Sequence, residues 1–449
     1  MLTCRTTSTT ERTECTEQRC VVISVSSVSS VVAFLCFLCP SLFAQTPLSL
    51  KDAERQAIDS NPTVRAGRYS ALAATEGIRE ARSAYFPTSF GSFTGAGATD
   101  GTRIAAGGLN NPTILDRFAA GFGVSQLLTD FGRTNALVQS SSLHADSRQQ
   151  DVDARKADVL LQVDRAYFDA LRAQAVLKVA QQTVDARKLV ADQVGALANS
   201  GLKSSLDVSF AQVNLGEAQL LLVQAQNDVQ AAYAGLAAAM GAPQVTTYVL
   251  NEEEMPPAPP DDSASLVAAA LRDRPDVHAA RLENESAQRF ADAERNLWMP
   301  SLSFVGAAGF TPYHQVGLTD RYSAAGINVT IPLMNGNLYQ ARHAEAAFRA
   351  QAQDQTERDL ENRVSRDVTV AWLAARTAYQ RLDLTNQLLA QASAAMELAQ
   401  GRYDLGLSSI VELTQAQLNK TNAEIAQATA KYEYQSRIAA LRYQTGQLK

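Results

Sequence analysis

Cysteine is missing from almost the whole chain: all five (Cys4, Cys15, Cys20, Cys36 and Cys39) lie in the first 40 of 449 residues. Charge is missing from Val21 to Leu50. That uncharged, apolar stretch contains Pro40 and ends in Leu42-Phe43-Ala44-Gln45, the pattern of a secretory signal peptide cut after Ala44. Ser24, Ser26, Ser27, Ser29 and Ser30 dilute it, which argues against a permanent membrane anchor. Leu35 and Leu38 precede Cys36 and Cys39, so no small residue marks a lipidated cysteine. Removal of 1–44 leaves no thiol, which excludes disulfides, zinc thiolate sites and cysteine nucleophiles. Beyond the leader there is no uncharged apolar run of helical membrane-spanning length, and mean hydropathy is -0.14, which excludes a polytopic helical membrane protein. Glycine (24) and proline (14) are too scarce for a collagen-like or low-complexity chain. A net charge of -6 disfavours nucleic acid as a partner.

The sequence is rich in self-similarity. Asn61-Pro62-Thr63-Val64-Arg65-Ala66 aligns with Arg274-Pro275-Asp276-Val277-His278-Ala279, an offset of 213 that also pairs Tyr85 with Trp298 and Pro87 with Pro300. Further on the offset is 205: Gly201-Leu202-Lys203-Ser204 aligns with Gly406-Leu407-Ser408-Ser409, Asp207 with Glu412, and Gly241 with Gly446. The chain is therefore two copies of one unit. The expected divisions are a leader at 1–44, a first repeat at 45–241, a linker at 242–262 and a second repeat at 263–449. Glu252-Glu253-Glu254, Pro256-Pro257 and Pro259-Pro260 mark the linker.

Each copy has the same order of elements. A short helix (Leu50 to Asp59) precedes a helix that begins at Pro62 and stops before Pro87; proline is tolerated in a first turn and blocks helix at the residue before it. Period-two alternation then predicts strands, over about 88–127 in the first copy and 301–332 in the second. Leu302, Phe304, Ala308 and Phe310 alternate with Ser301, Ser303 and Ala307, and Ile327, Val329 and Ile331 with Asn328 and Thr330; residues 88–98 alternate poorly. Long helical hairpins follow, at 133–241 and 338–446. Val159, Val163, Ala166, Ala170, Ala173, Leu177 and Ala180 keep a 4-3 rhythm, as do Val364, Val368, Ala371, Ala375, Ala378 and Leu382. That is a heptad seam rich in small residues. Arg187 interrupts it and is expected to snorkel to the surface. No proline falls between Arg133 and Asn199 or between Leu338 and Asp404, so each run can reach ~100 Å as one helix.

Four strands of about ten residues are long enough to cross a membrane but too few to close a barrel, and open edges are not tolerated in lipid. The geometry points to an oligomeric membrane barrel, anchored by Tyr85, Phe86 and Trp298 where helix meets strand, continued by a tube of helices. The alternative is a structural coiled-coil protein of the cell envelope.

Asn61-Pro62, Tyr85-Phe86-Pro87, Ser125-Gln126-Leu127-Leu128 with Asp130-Phe131-Gly132-Arg133, and Ile331-Pro332-Leu333-Met334-Asn335-Gly336, together with the paired turns, resemble the TolC-like outer-membrane efflux protein family over about Leu48 to Gly446. The resemblance implies a mainly α protein with a transmembrane β-barrel portion. Its helical hairpins would form an α-barrel in the periplasm, and a homotrimer would assemble a 12-stranded barrel in the outer-membrane lipid. It also implies a periplasmic adaptor and an inner-membrane pump or exporter as partners, in multidrug efflux or type I secretion, and no enzymatic activity. By the same resemblance Gly201, Leu202, Lys203, Gly406 and Leu407 would meet the adaptor at the hairpin tips. Asp207, Tyr403, Ser408, Glu412 and Gln415 would surround the periplasmic gate. Two of these depart from the family pattern: Ser408 stands where the gate arginine falls, and Gln415 at the second acidic position. A gate held shut by that ion pair is therefore not expected. Three copies of Asp207 around a narrow mouth would favour cations.

Other motifs lack their partners. Asp130-Phe131-Gly132 has no kinase loops around it, Ser200-Gly201-Leu202-Lys203 lacks the companion motifs of serine–lysine enzymes, and Gly95-Ala96-Gly97 does not sit at a strand-to-helix turn. His144, His278, His314 and His343 have no metal-ligand spacing. No catalytic residue, metal site or cofactor is expected.

Overall fold

Two helices of 67 residues dominate the fold, α3 (Arg133–Asn199) and α7 (Leu338–Asp404). Each turns back into a helix of 35 residues, α4 (Ser205–Ala239) and α8 (Ile410–Gln444). The structure is a computed structural model that describes residues 47–97, 103–106, 109–113, 117–242, 248–313 and 319–448. The expected leader with all five cysteines, the tip of the first strand loop and His314 lie outside them.

The long helices span the expected proline-free ranges, 133–199 and 338–404. The seam residues Val163, Ala180, Val194, Val368 and Ala375 are wholly buried, so the 4-3 rhythm marks the packed face. Asp130 caps α3: its carboxylate accepts the backbone N–H groups of Gly132 (3.2 Å) and Thr134 (2.7 Å). The kinase-like triplet is thus a helix start, with Phe131 and Gly132 in left-handed backbone.

Before each long helix stands a pair of shorter ones, α1 (Leu50–Ser60) with α2 (Pro62–Arg82), and α5 (Ala264–Asp273) with α6 (Pro275–Arg295). Asn61 caps α2 by accepting from Thr63 N–H (2.8 Å), and its amide donates to Ala239 O (3.1 Å) at the far end of the hairpin. Gly241, at φ +69°, is packed so closely on Asn61 that a Cβ would lie 2.9 Å from the Asn61 Cα. Gly446 (φ +73°) meets Asp273 in the same way in the second copy. α2 ends at Arg82, and a 3-10 turn, Ser83–Tyr85, carries the chain to Pro87. The expected helix is therefore shorter by one turn, because the residues before proline tighten before they leave helical geometry.

Strands β2 (Thr88–Ala96), β5 (Arg117–Thr129), β7 (Ser301–Tyr313) and β8 (Arg321–Thr330) form one antiparallel sheet in the order β2-β5-β7-β8. β7 runs on through Thr311-Pro312-Tyr313. A small hairpin of β3 (Arg103–Ala106) and β4 (Leu109–Thr113) lies between β2 and β5 in the chain. The register places Phe93, Phe122, Val124, Phe304, Phe310, Ile327 and Val329 on one face. The other face is mostly small or polar: Ser92, Gly121, Gly123, Ser125, Ser303, Gly309, Asn328 and Thr330. On it Phe90 lies over Gly123 and Tyr322 over Gly309 and Gly121. These glycines make the room the rings occupy. β2 alternates poorly because Phe90 and Phe93 point to opposite faces.

A short collar segment crosses the middle of the long helices. β1 (Pro47–Leu48) pairs in parallel with β6 (Val249–Leu250), and the Tyr167 hydroxyl of α3 lies 2.8 Å from the carbonyls of both Leu48 and Asn251. The linker is strapped down by Trp372 Nε1 donating to Pro260 O (2.7 Å).

The elements repeat one arrangement three times. In the sheet the order is β2-β5-β7-β8. Above the collar α3 packs on α2 and α6, and α6 on α7; below it α3 packs on α4 and α8, and α8 on α7. Each layer is a strip of four with two open edges. The edge helices carry exposed apolar residues at heptad spacing: Leu206, Val213 and Leu220 on α4, and Val370, Leu384 and Leu398 on α7.

Candidate functional site: the hairpin tips and the helix–strand junction

Both tips are built alike. Gly201 (φ +78°) and Gly406 (φ +73°) take the left-handed conformation that closes a helix. The N–H of Gly201 donates to Ala198 O (3.0 Å) and that of Leu202 to Leu197 O (2.9 Å); Gly406 and Leu407 donate to Tyr403 O (3.0 Å) and Arg402 O (2.8 Å). Such turns usually fold the residue after glycine back onto the helix. Here Leu202 is 72% exposed and Leu407 68%, so both leucines point away from their own hairpins.

The returning helices start on serine caps. Ser204 Oγ accepts the N–H of Asp207 (3.2 Å), and the Asp207 carboxylate accepts the Ser204 N–H (3.1 Å) and hydroxyl (2.9 Å), a full capping box. Those donors hold the Asp207 carboxyl below the usual carboxylate range. Asp207 is therefore ionised and fixed. In the second copy Ser409 Oγ accepts the N–H of Glu412 (3.4 Å), but the Glu412 carboxylate turns to Arg402 Nε (3.4 Å) across the turn.

Tyr403 joins the two hairpins. Its ring is buried with Val194, Ala211, Ile410 and Leu413, and the Lys203 ammonium sits 4.3 Å from its centroid. Neither its hydroxyl nor that of Ser408 has a hydrogen-bond partner. Gln415 is exposed and donates to Asn419 Oδ1 (3.0 Å). Within one chain, then, Lys203 and Tyr403 come together, while Asp207 bonds only to Ser204 and Gln415 only along its own helix. Arg402 is the residue that sequence reasoning missed. Its signal was available: opposite charges at 402 and 412 flank the turn at Gly406.

Arg187 does not snorkel. It is buried at 5% exposure between α3 and its neighbours, with Nε and Nη1 unpartnered, and burial lowers its affinity for the proton. A two-helix seam would leave its end free; α3 is flanked on both sides, by α4 and α8.

At the other end Tyr85, Phe86 and Trp298 are all exposed, at 47%, 66% and 45%. They stand where α2 and α6 give way to β2 and β7. Gln126 Nε2 donates to Tyr85 O (2.9 Å), and Trp298 meets Tyr339 edge to face at 5.7 Å. No helix among the described residues is long and apolar enough to cross a membrane.

An open four-stranded sheet with one apolar face, set on an open strip of long helices, defines a segment of a membrane-inserted tubular wall. The family model for outer membrane efflux proteins matches residues 54–242 and 266–447, one match in each repeat, and the chain belongs to that family. It is similar to protein CyaE of Bordetella pertussis, with 27% identity over 410 residues covering 89% of this chain and 84% of that protein. To outer membrane protein TolC of Escherichia coli it is 22% identical over 403 residues, covering 86% of this chain and 80% of the relative. In fold it matches a membrane protein from Pseudomonas aeruginosa solved by crystallography, at a TM-score of 0.76 and 19% identity, covering 88% of this chain and 93% of that one. The protein is accordingly an outer-membrane transport protein and not an enzyme, with its helical part in the periplasm.

Proposed function

We propose that three copies of this chain close side by side into one continuous duct, the exit channel of a tripartite efflux or type I secretion system. The observation that carries this reading is the threefold recurrence of an open strip of four. Three copies give about twelve strands, enough for a closed barrel, whereas four leave edges that lipid does not tolerate. The apolar sheet face would meet lipid and the small, polar face the lumen, with Tyr85, Phe86 and Trp298 at the interface. The heptad stripes on α4 and α7 would meet between neighbours and close the helical tube.

The tips carry the rest of the reading. Leu202 and Leu407, with Gly201, Lys203 and Gly406, form the contact for a periplasmic adaptor that links the duct to an inner-membrane pump or exporter. Asp207, Tyr403, Ser408, Glu412 and Gln415 line or support the gate. Because Asp207 is ionised and fixed, its three copies would ring the mouth with negative charge and favour cations. The division into a leader at 1–44, repeats at 45–241 and 263–449 and a linker at 242–262 belongs to the same reading.

Single-channel recording in a planar bilayer tests the duct: stable conductance with cation preference supports it, and a silent bilayer rejects it. A deletion strain separates the two systems. Sensitivity to antibiotics, dyes and detergents assigns efflux, and loss of a secreted protein assigns secretion.

A further inference from the structure

Beside the collar lies a cavity of about 430 Å³ that the duct does not use. It is bounded by α1, α3, the linker and α8. Two polar side chains on its wall are almost wholly buried and incompletely bonded. Asp164 is 3% exposed, and its Oδ1 has no hydrogen-bond donor. Gln435 is 2% exposed; its amide nitrogen donates to Glu253 O (3.1 Å), and its Oε1 has no partner. The charged groups around Asp164 are Glu54 and Lys51 on α1, Glu253 and Glu254 on the linker and Arg442 on α8. Acids exceed bases by four to two, counting Asp164 itself. Burial, reinforced by the neighbouring Glu54, pushes the Asp164 carboxyl up to about 8. The carboxyl thus keeps a proton, held in a side-chain hydrogen bond with Glu54, while its Oδ1 stays without a partner. Leu50, Phe168, Met255, Pro256 and Ile438 supply apolar wall.

We propose that this cavity binds a small amphipathic amine, its ammonium group bonded to Asp164 and Gln435 and its hydrocarbon part against Phe168 and Ile438. An ammonium offers three donors where two buried acceptor oxygens lack a donor, and unpaired buried acceptors are costly. The volume falls within the range of small-molecule sites and is far larger than a bare ion. No group of three or more metal-ligand side chains among the described residues converges well enough to hold a metal. Binding is an exchange: the Asp164 carboxyl gives its proton to solvent, and the ammonium takes its place beside the carboxylate. The site lies in the chain's own wall, so it does not depend on the chain being a duct.

Calorimetric titration of the full-length protein in detergent with benzylammonium chloride tests this, with benzyl alcohol and magnesium chloride as controls. One benzylammonium should bind per chain. At pH 7 the heat should differ between phosphate and Tris by the ionisation of the released proton. Benzyl alcohol should bind at least tenfold more weakly. Asp164→Asn should weaken binding at least tenfold and abolish the buffer dependence. Gln435→Met, which removes the free oxygen but keeps the bulk, should weaken it several-fold and serves if the Asp164→Asn substitution impairs folding. No saturable binding, equal binding of benzyl alcohol, binding of magnesium alone, or unchanged affinity in a folded Asp164→Asn protein would overturn the proposal.

Discussion

The ammonium of Lys203 sits 4.3 Å from the centre of the Tyr403 ring, tying the turn of one repeat to the last turn of the long helix of the other. An ammonium over an aromatic face contributes about 0.5–1 kcal/mol at a partly exposed site. Lys203→Ala is therefore expected to lower stability by no more than about that amount while loosening the two hairpins from each other. Single-channel recording should find Lys203→Ala open more often than wild type, with Lys203→Arg close to wild type. Equal opening in all three would show that the Lys203–Tyr403 contact does not hold the mouth closed.

The glycines divide into two kinds. Gly201 and Gly406 need their positive φ but have open space around them, so an added Cβ costs strain alone, about 1 kcal/mol each. Gly241 and Gly446 have the same backbone, and a Cβ added there would lie 2.9 Å from Asn61 and 3.0 Å from Asp273. Thermal unfolding should place Gly241→Ala and Gly446→Ala well below Gly201→Ala and Gly406→Ala in melting temperature.

Much of this fold is written in periodicity. The heptad seam marks the buried faces of α3 and α7, the absence of proline permits their length, and the left-handed glycines Gly201 and Gly406 mark where they turn back. The repeat places the second tip by the first. Strand β2 is harder to read because its pattern reflects a neighbour: Phe90 needs the space over Gly123, a residue 33 positions away that it meets only through register. Arg187 is misread for a similar reason, since one seam does not reveal that α3 has partners on two sides. The tip residues are legible as turns, caps and glycines. The Lys203–Tyr403 contact depends on how two hairpins pack and is not encoded in either turn.

The buried acid pair gives stability an unusual dependence on pH. Burial raises Glu54, and burial beside Glu54 raises Asp164 to about 8. In the unfolded chain both ionise near pH 4. Between about pH 4 and pH 8 the folded protein holds the extra proton, so stability falls as pH rises, by up to ~1.4 kcal/mol per pH unit for one proton, and levels off above pH 8. Denaturant unfolding at pH 5, 6.5 and 8 should show the decline in wild type and a flatter profile in Asp164→Asn. A wild-type profile that rises over this interval would contradict the shared proton.

The Arg402–Glu412 pair is the structure's nearest counterpart to a gate ion pair, yet it lies within one hairpin and both side chains are substantially exposed. Such pairs contribute about 0–1 kcal/mol. A double-mutant cycle on thermal stability should return a coupling within that range, reduced further at high salt. Conductance should change little when Glu412→Gln removes the pair; a large rise in opening would make it the latch.

A single chain cannot close its open strips of four. Native mass spectrometry of the protein held in lipid nanodiscs tests this most directly. The expected result is one species with the mass of three chains. A stable, membrane-inserted single chain would contradict it.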